Sequence, residues 1–430
     1  MDQNSGQGSS TGERDHFIPF RKIDVLNAAL AHGALSSEAE REQFRQFCRL
    51  LGAIYHYEYF DRLERLRNDY FYFNPETDGP ARFDSATAER AYGDLIDALT
   101  NVLHGANFVE VPHEEIERAH REHGIVRISI KAPLENYREV RFFRRGHHRE
   151  TIEIPRWLGF RTKTVEFGVY DDVVLLVTMK NEVAVATSGK KRRKPKVRPG
   201  AVLLKYFRNI ASADLNALFP DVRVVMSLRD QLFLGVPALI GGIPILLKLA
   251  STLTVLFLVA GFYMGLSNAV KDDEMSGALA AVSGLVALGG FVVTQWIRFQ
   301  RQSLLHQKIL SDNVYYRNVN NNAGIFDYII GEAEEQECKE AFLAYYFLLK
   351  DGAPTEDALD RRIEAWLQKT FGADVDFECD DALAKLERLN LLKRDGDRLS
   401  VQPLGEALIR LDRIWDNFFP FDSERKVTSG

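Results

Sequence analysis

Few of the polar side chains in this 430-residue chain fall into spacings that carry chemistry. Two Glu-x-x-His pairs occur, Glu13–His16 and Glu117–His120, the second with His113 and His123 beside it. Two such pairs on facing helices, with two further Glu, would make a di-metal site. Glu13 borders a polar tail, so solvated histidines are the expected reading. The cluster Arg144-Arg145-Gly146-His147-His148-Arg149 could meet a phosphate or an anionic headgroup, but it reads as an exposed strand end. Cys48, Cys338 and Cys379 are far apart and form no C-x-x-C, so buried thiols are expected rather than a disulfide framework or a zinc site. Phosphate-loop, G-x-S-x-G and H-E-x-x-H motifs do not occur. No catalytic, cofactor or metal residue is assigned, and the reading leans away from an enzyme.

One run of charge could bind a partner. Lys190, Lys191, Arg192, Arg193, Lys194 and Lys196, with Arg198, put seven cations in a loop at 188–200. They account for nearly all of the +8 carried by residues 101–230, whereas residues 331–430 hold 14 basic and 23 acidic side chains, a net of −9. Three readings of the loop stay open: a solvated loop, a contact with anionic lipids, or a nucleic-acid or import signal.

Stepping along the chain, residues 1–12 are expected to be a disordered tail, without the marks of a signal peptide or presequence. Residues 13–106 read as helical. Ser36 or Ser37 can cap a long helix, with Glu40 completing a capping box. Phe44, Phe47, Cys48, Leu51 and Ile54 follow at helical spacing, and another helix is expected over Thr87–Leu103. From about Ile125 the period becomes two. Strands are expected at Val126–Lys131, Glu139–Arg145, Lys163–Tyr170, Val173–Lys180, Val202–Arg208 and Val222–Met226, giving a small α+β domain at 107–230.

Residues 231–300 read as a membrane segment. Leu249–Val270 and Met275–Ile297 carry no charge, and as helices they would each span about 33 Å, enough for a bilayer core. Helices are expected at about 244–268 and 275–297, with residues 231–243 lying at the interface or entering the bilayer. Gly261 with Gly265, and Ala280 with Gly284, have the small-residue spacing that lets helices pack closely in lipid. Arg223, Arg229, Lys248, Arg298, Arg301 and Lys308 flank the pair, placing both long flanking parts on the cytoplasmic side.

An amphipathic helix and polar linker are expected at 301–330, a domain at 331–420, and a tail at 421–430. Helices over Glu332–Leu349, up to Thr370 from a Thr355 cap, and over Asp380–Asn390 precede two strands joined at Asp395-Gly396 and a helix over Leu404–Trp415. A short strand is expected at Val375–Cys379. That is winged-helix order. Its acidic charge disfavours DNA and favours a protein partner.

These residues also carry a resemblance. Arg14–Arg21 (RDHFIPFR), Phe143–Gly146, Leu204–Ile210 with Asp214-Leu215, Asn313–Tyr315, Asn321–Gly324, Glu334–Ala341 and Ala382–Leu389 resemble, in one order, a membrane family of unknown activity. That family includes the animal mitochondrial transmembrane protein 143. The resemblance implies no catalytic residue. The fold class expected is an α+β multidomain membrane protein: a helical region, a small α+β domain, a two-helix transmembrane hairpin and a winged-helix-like domain. The expected location is a bacterial inner membrane with both termini cytoplasmic, or a mitochondrial membrane in a eukaryote. The expected function is a membrane-anchored interaction or scaffold protein with a partner on the C-terminal domain. The alternative is a membrane-surface enzyme or lipid-handling protein using residues 107–230.

Overall fold

The structure is a computed structural model. It describes residues 14–33, 35–77, 85–116, 129–131, 133–156, 161–181, 197–220, 223–225, isolated residues between 257 and 301, 316–351 and 355–419. These fall into two compact units. One joins Met1–Glu115, Glu135–Ser212 and Asn318–Gly430; the other joins Ile116–Leu134 with Ala213–Arg317.

The first unit opens with helices α1 (Lys22–Ala31), α2 (Glu38–Phe71) and α3 (Ser85–Gly105). The start of α2 follows its local signal. Ser37 is the N-cap, its hydroxyl accepts from the Glu40 N–H at 3.1 Å, and the Glu40 carboxylate accepts from the Ser37 N–H at 3.2 Å. Five antiparallel strands follow in the order β1 (Val109–Glu110), β3 (Tyr137–Arg156), β4 (Arg161–Met179), β5 (Val202–Ala211) and β7 (Asn318–Asn321). The short strands expected at Lys163–Tyr170 and Val173–Lys180 are one strand, β4, paired with β3 in register from Thr178 to Arg161. Asp171 and Asp172, which looked like a break, sit inside it. The Asn-rich run expected as a polar linker is β7, the edge strand beside β5. The second unit holds β2 (Ser129–Lys131) paired antiparallel with β6 (Arg223–Val225).

The C-terminal part is α4 (Ile325–Asp351), α5 (Glu356–Phe371), α6 (Cys379–Arg388), the hairpin β8 (Leu392–Asp395) and β9 (Arg398–Val401), and α7 (Leu404–Asp416). Asp395 pairs with Arg398, so the hairpin loop is Gly396-Asp397, with Gly396 at φ +59 where a two-residue turn needs a left-handed residue. Val375 forms only an isolated bridge, to Asp15, instead of a strand.

Two apolar cores share α2 and α4, which lie antiparallel: Phe44 and Phe47 meet Tyr346 and Tyr345, whereas Tyr70 meets Phe326. One core joins α1, the first half of α2 and the second half of α4 to α5, α6, the hairpin and α7. The other joins the second half of α2, α3 and the first half of α4 to the sheet through Phe143, Val174, Leu176, Val202, Leu204 and Tyr206. Period two puts these six on a single sheet face.

The expected two-helix transmembrane hairpin is corrected. Among the described residues no helix is long and apolar enough to cross a membrane. The physical reason is visible in the first expected span. Helical backbone at Ala260 and Gly261 gives way to a turn at Met264 and Gly265, where φ is +78. A left-handed residue at Gly265 interrupts regular helical backbone at that position. Gly261 is helical and Gly265 lies in that turn. Ala280, Gly284, most of both expected spans and the stretch 231–243 lie outside the described residues. The expected multi-pass location, in a bacterial or a mitochondrial membrane, loses its basis with the hairpin.

Ser37→Ala should cost about 1 kcal/mol, the usual worth of an N-cap hydroxyl. In urea unfolding the midpoint should fall while the slope stays unchanged.

Candidate functional site

Between the two cores runs a belt of buried polar groups, and α4 supplies its spine. Glu332, Glu335, Gln336, Lys339 and Glu340 recur at spacings of three, one, three and one, which places them along one side of the helix. Gln336 is 0% exposed and Lys339 and Glu340 are each 2% exposed. Groups this deep in a fold must find partners.

The sheet supplies the first set. Arg145, Asp172 and Arg208 stand abreast on β3, β4 and β5, on the face where Phe143, Val174 and Tyr206 form the adjacent apolar row. Arg145, 1% exposed, donates to the Asp172 carboxylate from Nε at 3.1 Å and from Nη2 at 2.5 Å. Nη2 also donates to Glu332 of α4 at 2.9 Å, and Nη1 to the Ala106 carbonyl at 3.3 Å. Its plane lies against two rings, 4.2 Å from the Phe17 centroid and 4.7 Å from that of Phe108. Arg208 donates to the other Asp172 oxygen at 3.2 Å. Although burial works against the Arg145 charge, Asp172 and Glu332 more than offset it and hold the pKa above its ordinary value.

The strand backbone deforms beside this triad. Level with Asp171, Gly146 has φ +68 and Asn209 has φ +53. A Cβ on Gly146 would run into the Asp171 carboxylate, so the glycine is required by space as well as by conformation. Asp171 accepts instead from His148 Nδ1 at 2.6 Å.

The second set lies where α6 meets α4. Lys385, which is buried, donates to Glu340 and lies 2.6 Å from Asp381. Asn107, in a left-handed turn at φ +59, donates to Glu340 at 2.8 Å and to the His16 carbonyl at 2.9 Å. Burial lowers the Lys385 pKa, but Glu340, Glu337 and Asp381 outweigh it and leave the ammonium firmly charged. The third set binds the extended segment Arg14–Arg21, with Gln336 and Lys339 as its donors. Burial pushes the Lys339 amine down to about 8, with Glu335 opposing and Arg145 assisting.

A cavity of about 330 Å³ opens at this belt, lined by residues 17–21 and by the side chains of Arg145, Asp171, Asp172, Arg208, Asn209, Glu332, Glu335 and Lys339. Four cations and four carboxylates share its walls, and the buried ones face one another. The arrangement therefore serves first to hold the Arg14–Arg21 segment, the sheet and α4 together.

Of the residues singled out by spacing, Arg145 is the one brought into this site. It is not the exposed strand end expected of it. Arg144, beside it, lies 5.3 Å over the Tyr170 ring. His16 is placed beside Asp376, with Nδ1 3.1 Å from its carbonyl, while Glu13, Glu117, His120 and His123 lie outside the described residues. Among the described residues no group of side chains could hold a metal ion. Lys190, Lys191, Arg192, Arg193, Lys194 and Lys196 also lie outside them. Arg198, at the end of that loop, donates to the carbonyls of Tyr72 and Asn74 just past the end of α2. The three cysteines are buried and free. Asp172, Lys339, Glu340 and Asn107 escaped the sequence reading. Their one local signal is charge interrupting an apolar pattern, at Asp171-Asp172 in β4 and Lys339-Glu340 in α4.

The model of a family described as "Protein of unknown function (DUF3754)" matches residues 170–324. The match takes in Asp172, Arg208 and Asn209 but not Arg145, the Arg14–Arg21 segment or the belt residues of α4. Nothing in it links the chain to the animal mitochondrial transmembrane protein or to a membrane. No solved structure matches the chain.

Arg145→Leu should cost roughly 3–5 kcal/mol, because Asp172, which is buried, then keeps only the half-exposed Arg208 as a cationic partner. Changing Asp172 to Leu as well should recover part of that loss, as read from urea unfolding of the single and double variants. Lys339 gives a pH test. Its pKa falls from 10.5 unfolded to about 8 folded, so between those values the unfolded chain binds the extra proton. Stability relative to Lys339→Met should therefore rise as pH climbs from about 8 toward 10.5, and a flat difference across that window would contradict it.

Proposed function

We propose that the chain is a protein-interaction scaffold whose contact surface lies on the C-terminal winged-helix-like part, at the seam between α2 and α7. The observation that carries this reading is a group of exposed rings. The Tyr57 ring lies 4.3 Å from Phe418, 5.1 Å from Phe419 and 6.5 Å from Trp415. Trp415 is 42% and Phe419 58% exposed, and Phe60, one turn along α2 from Tyr57, is 50% exposed. Apolar residues scattered singly on a surface need no explanation, but grouped aromatic rings are the usual anchors of protein contacts.

Charge defines the partner. Asp61, Asp412 and Asp416 are exposed beside the rings, against Arg413, and the C-terminal hundred residues carry a net of −9. An amphipathic helix with an apolar face and a basic rim is the complement. DNA is a poor candidate. The exposed side chains of α6 include Asp380, Asp381 and Glu387 against one cation, Arg388, which donates to Glu58 at 2.6 Å, and its buried cation, Lys385, is bound to Glu340. Such a surface lacks the free cations that phosphate neutralisation needs.

A fluorescein-labelled Leu/Lys amphipathic peptide of about 18 residues should bind saturably by fluorescence polarisation. Trp415→Ala with Phe419→Ala should weaken it at least about tenfold, as loss of anchor rings does. The same peptide with Glu in place of Lys should not bind. Equal binding of the two peptides, or indifference to the ring substitutions, would sink the reading.

A further inference from the structure

The segment Arg14–Arg21 crosses the first unit as an extended strap, not as a strand in a ladder; its bridge is the single pair Asp15 and Val375. Its main chain is nevertheless bound at five groups. The Asp376 N–H donates to the Asp15 carbonyl at 3.0 Å, and Asn107 donates to the His16 carbonyl at 2.9 Å. The Gln336 amide takes both groups of Ile18, accepting from its N–H at 3.4 Å and donating to its carbonyl at 3.1 Å. Lys339 donates to the carbonyls of Ile18 at 2.7 Å and Phe20 at 2.9 Å. Gln336 and Lys339 are almost wholly buried. Buried side chains that spend their hydrogen bonds on an extended main chain are what peptide-binding grooves use for affinity, while side-chain sockets supply specificity.

The sockets are present too. The Arg14 guanidinium reaches Glu364 at 3.0 Å and Asp376 at 2.9 Å. The Phe17 ring lies 4.2 Å from the Arg145 guanidinium, Ile18 is 0% exposed, and Phe20 stacks on Phe371 at 4.2 Å. Pro19 has no N–H, so it leaves no donor to be satisfied between the two residues that Lys339 binds.

We infer that the groove formed by α4, α5 and residues 375–377 is a peptide-recognition site. Residues 14–20 occupy it in cis, and it accepts in trans an extended peptide of the form Arg-x-x-Phe-Ile-Pro-Phe. The strap is then a tethered competitor. An incoming peptide displaces a segment held by side-chain contacts and one bridge, and the effective concentration of the tethered copy sets how strongly it competes. A second copy of the chain carries the same ligand in its own strap. The groove is separate from the aromatic seam of α2 and α7, so each site succeeds or fails alone.

The test uses the full chain and a labelled octapeptide, Arg-Asp-His-Phe-Ile-Pro-Phe-Arg. With Phe17→Ala and Phe20→Ala loosening the strap, the peptide should bind saturably by fluorescence polarisation. The unsubstituted chain should bind it at least about tenfold more weakly, because its own strap competes. Methylating the Ile amide nitrogen of the peptide should also cost at least about tenfold, since Gln336 then loses its partner. Absence of saturable binding to a variant with wild-type helical circular dichroism overturns the proposal, as does equal binding of the methylated peptide. If the variant does not fold, native-state hydrogen exchange on the unsubstituted chain decides. The Ile18 amide should exchange well ahead of those of Leu343 and Tyr345 in α4; exchange at the same rate means the strap cannot leave without global unfolding and overturns the proposal.

Discussion

Dehydrating a guanidinium costs several kcal/mol, and Arg145, 1% exposed, offsets that cost through the carboxylates of Asp172 and Glu332 and the Ala106 carbonyl, with the rings of Phe17 and Phe108 against its plane. Those partners come from β4, α4, the strap and the turn from α3 to β1. With Ala106 and Phe108 both in that turn, the arginine ties four separate segments to β3. Its position in the sheet is fixed by register: one step along β3 and the side chain would leave the helix-packed face. Gly146 permits the bend next to it, and Asn209 mirrors that bend on β5.

The belt divides labour with the cores. Apolar packing of α2 against α4 supplies cohesion on both sides, but apolar surfaces tolerate sliding. Fixed donors and acceptors at mid-helix do not. The Glu340–Lys385 pair sets α6 against α4, and Tyr59 donating to Glu337 at 2.7 Å sets α2 against α4. The helix that occupies the recognition position of a winged helix spends its one buried cation, Lys385, on this internal contact.

Local signals were legible in the sequence. The Ser37–Glu40 box, the Gly396 turn, α3 and the β5 strand all rest on neighbours a few residues apart, and the structure reproduces them. What the sequence concealed depends on distance. Arg145 meets Asp172 across 27 positions and Glu332 across 187, and Lys339 meets Ile18 across 321. Read locally, each is an ordinary surface charge. The Asn-rich run before α4 looked like a linker for the same reason, since its role as an edge strand depends on β5. In the apolar region the length of the charge-free runs outweighed a single glycine, whereas the backbone at Gly265 takes the opposite view.

The strap has a consequence for how the chain is made. At the usual 5–20 residues per second, the ribosome needs on the order of tens of seconds to deliver Lys339 after Ile18 has emerged. Throughout that interval Phe17, Ile18 and Phe20 have no groove to enter, and the α2 face that later meets α4 is likewise uncovered. The chain order therefore leaves apolar surface at the N-terminal end uncovered until α4, α5 and residues 375–377 have been made.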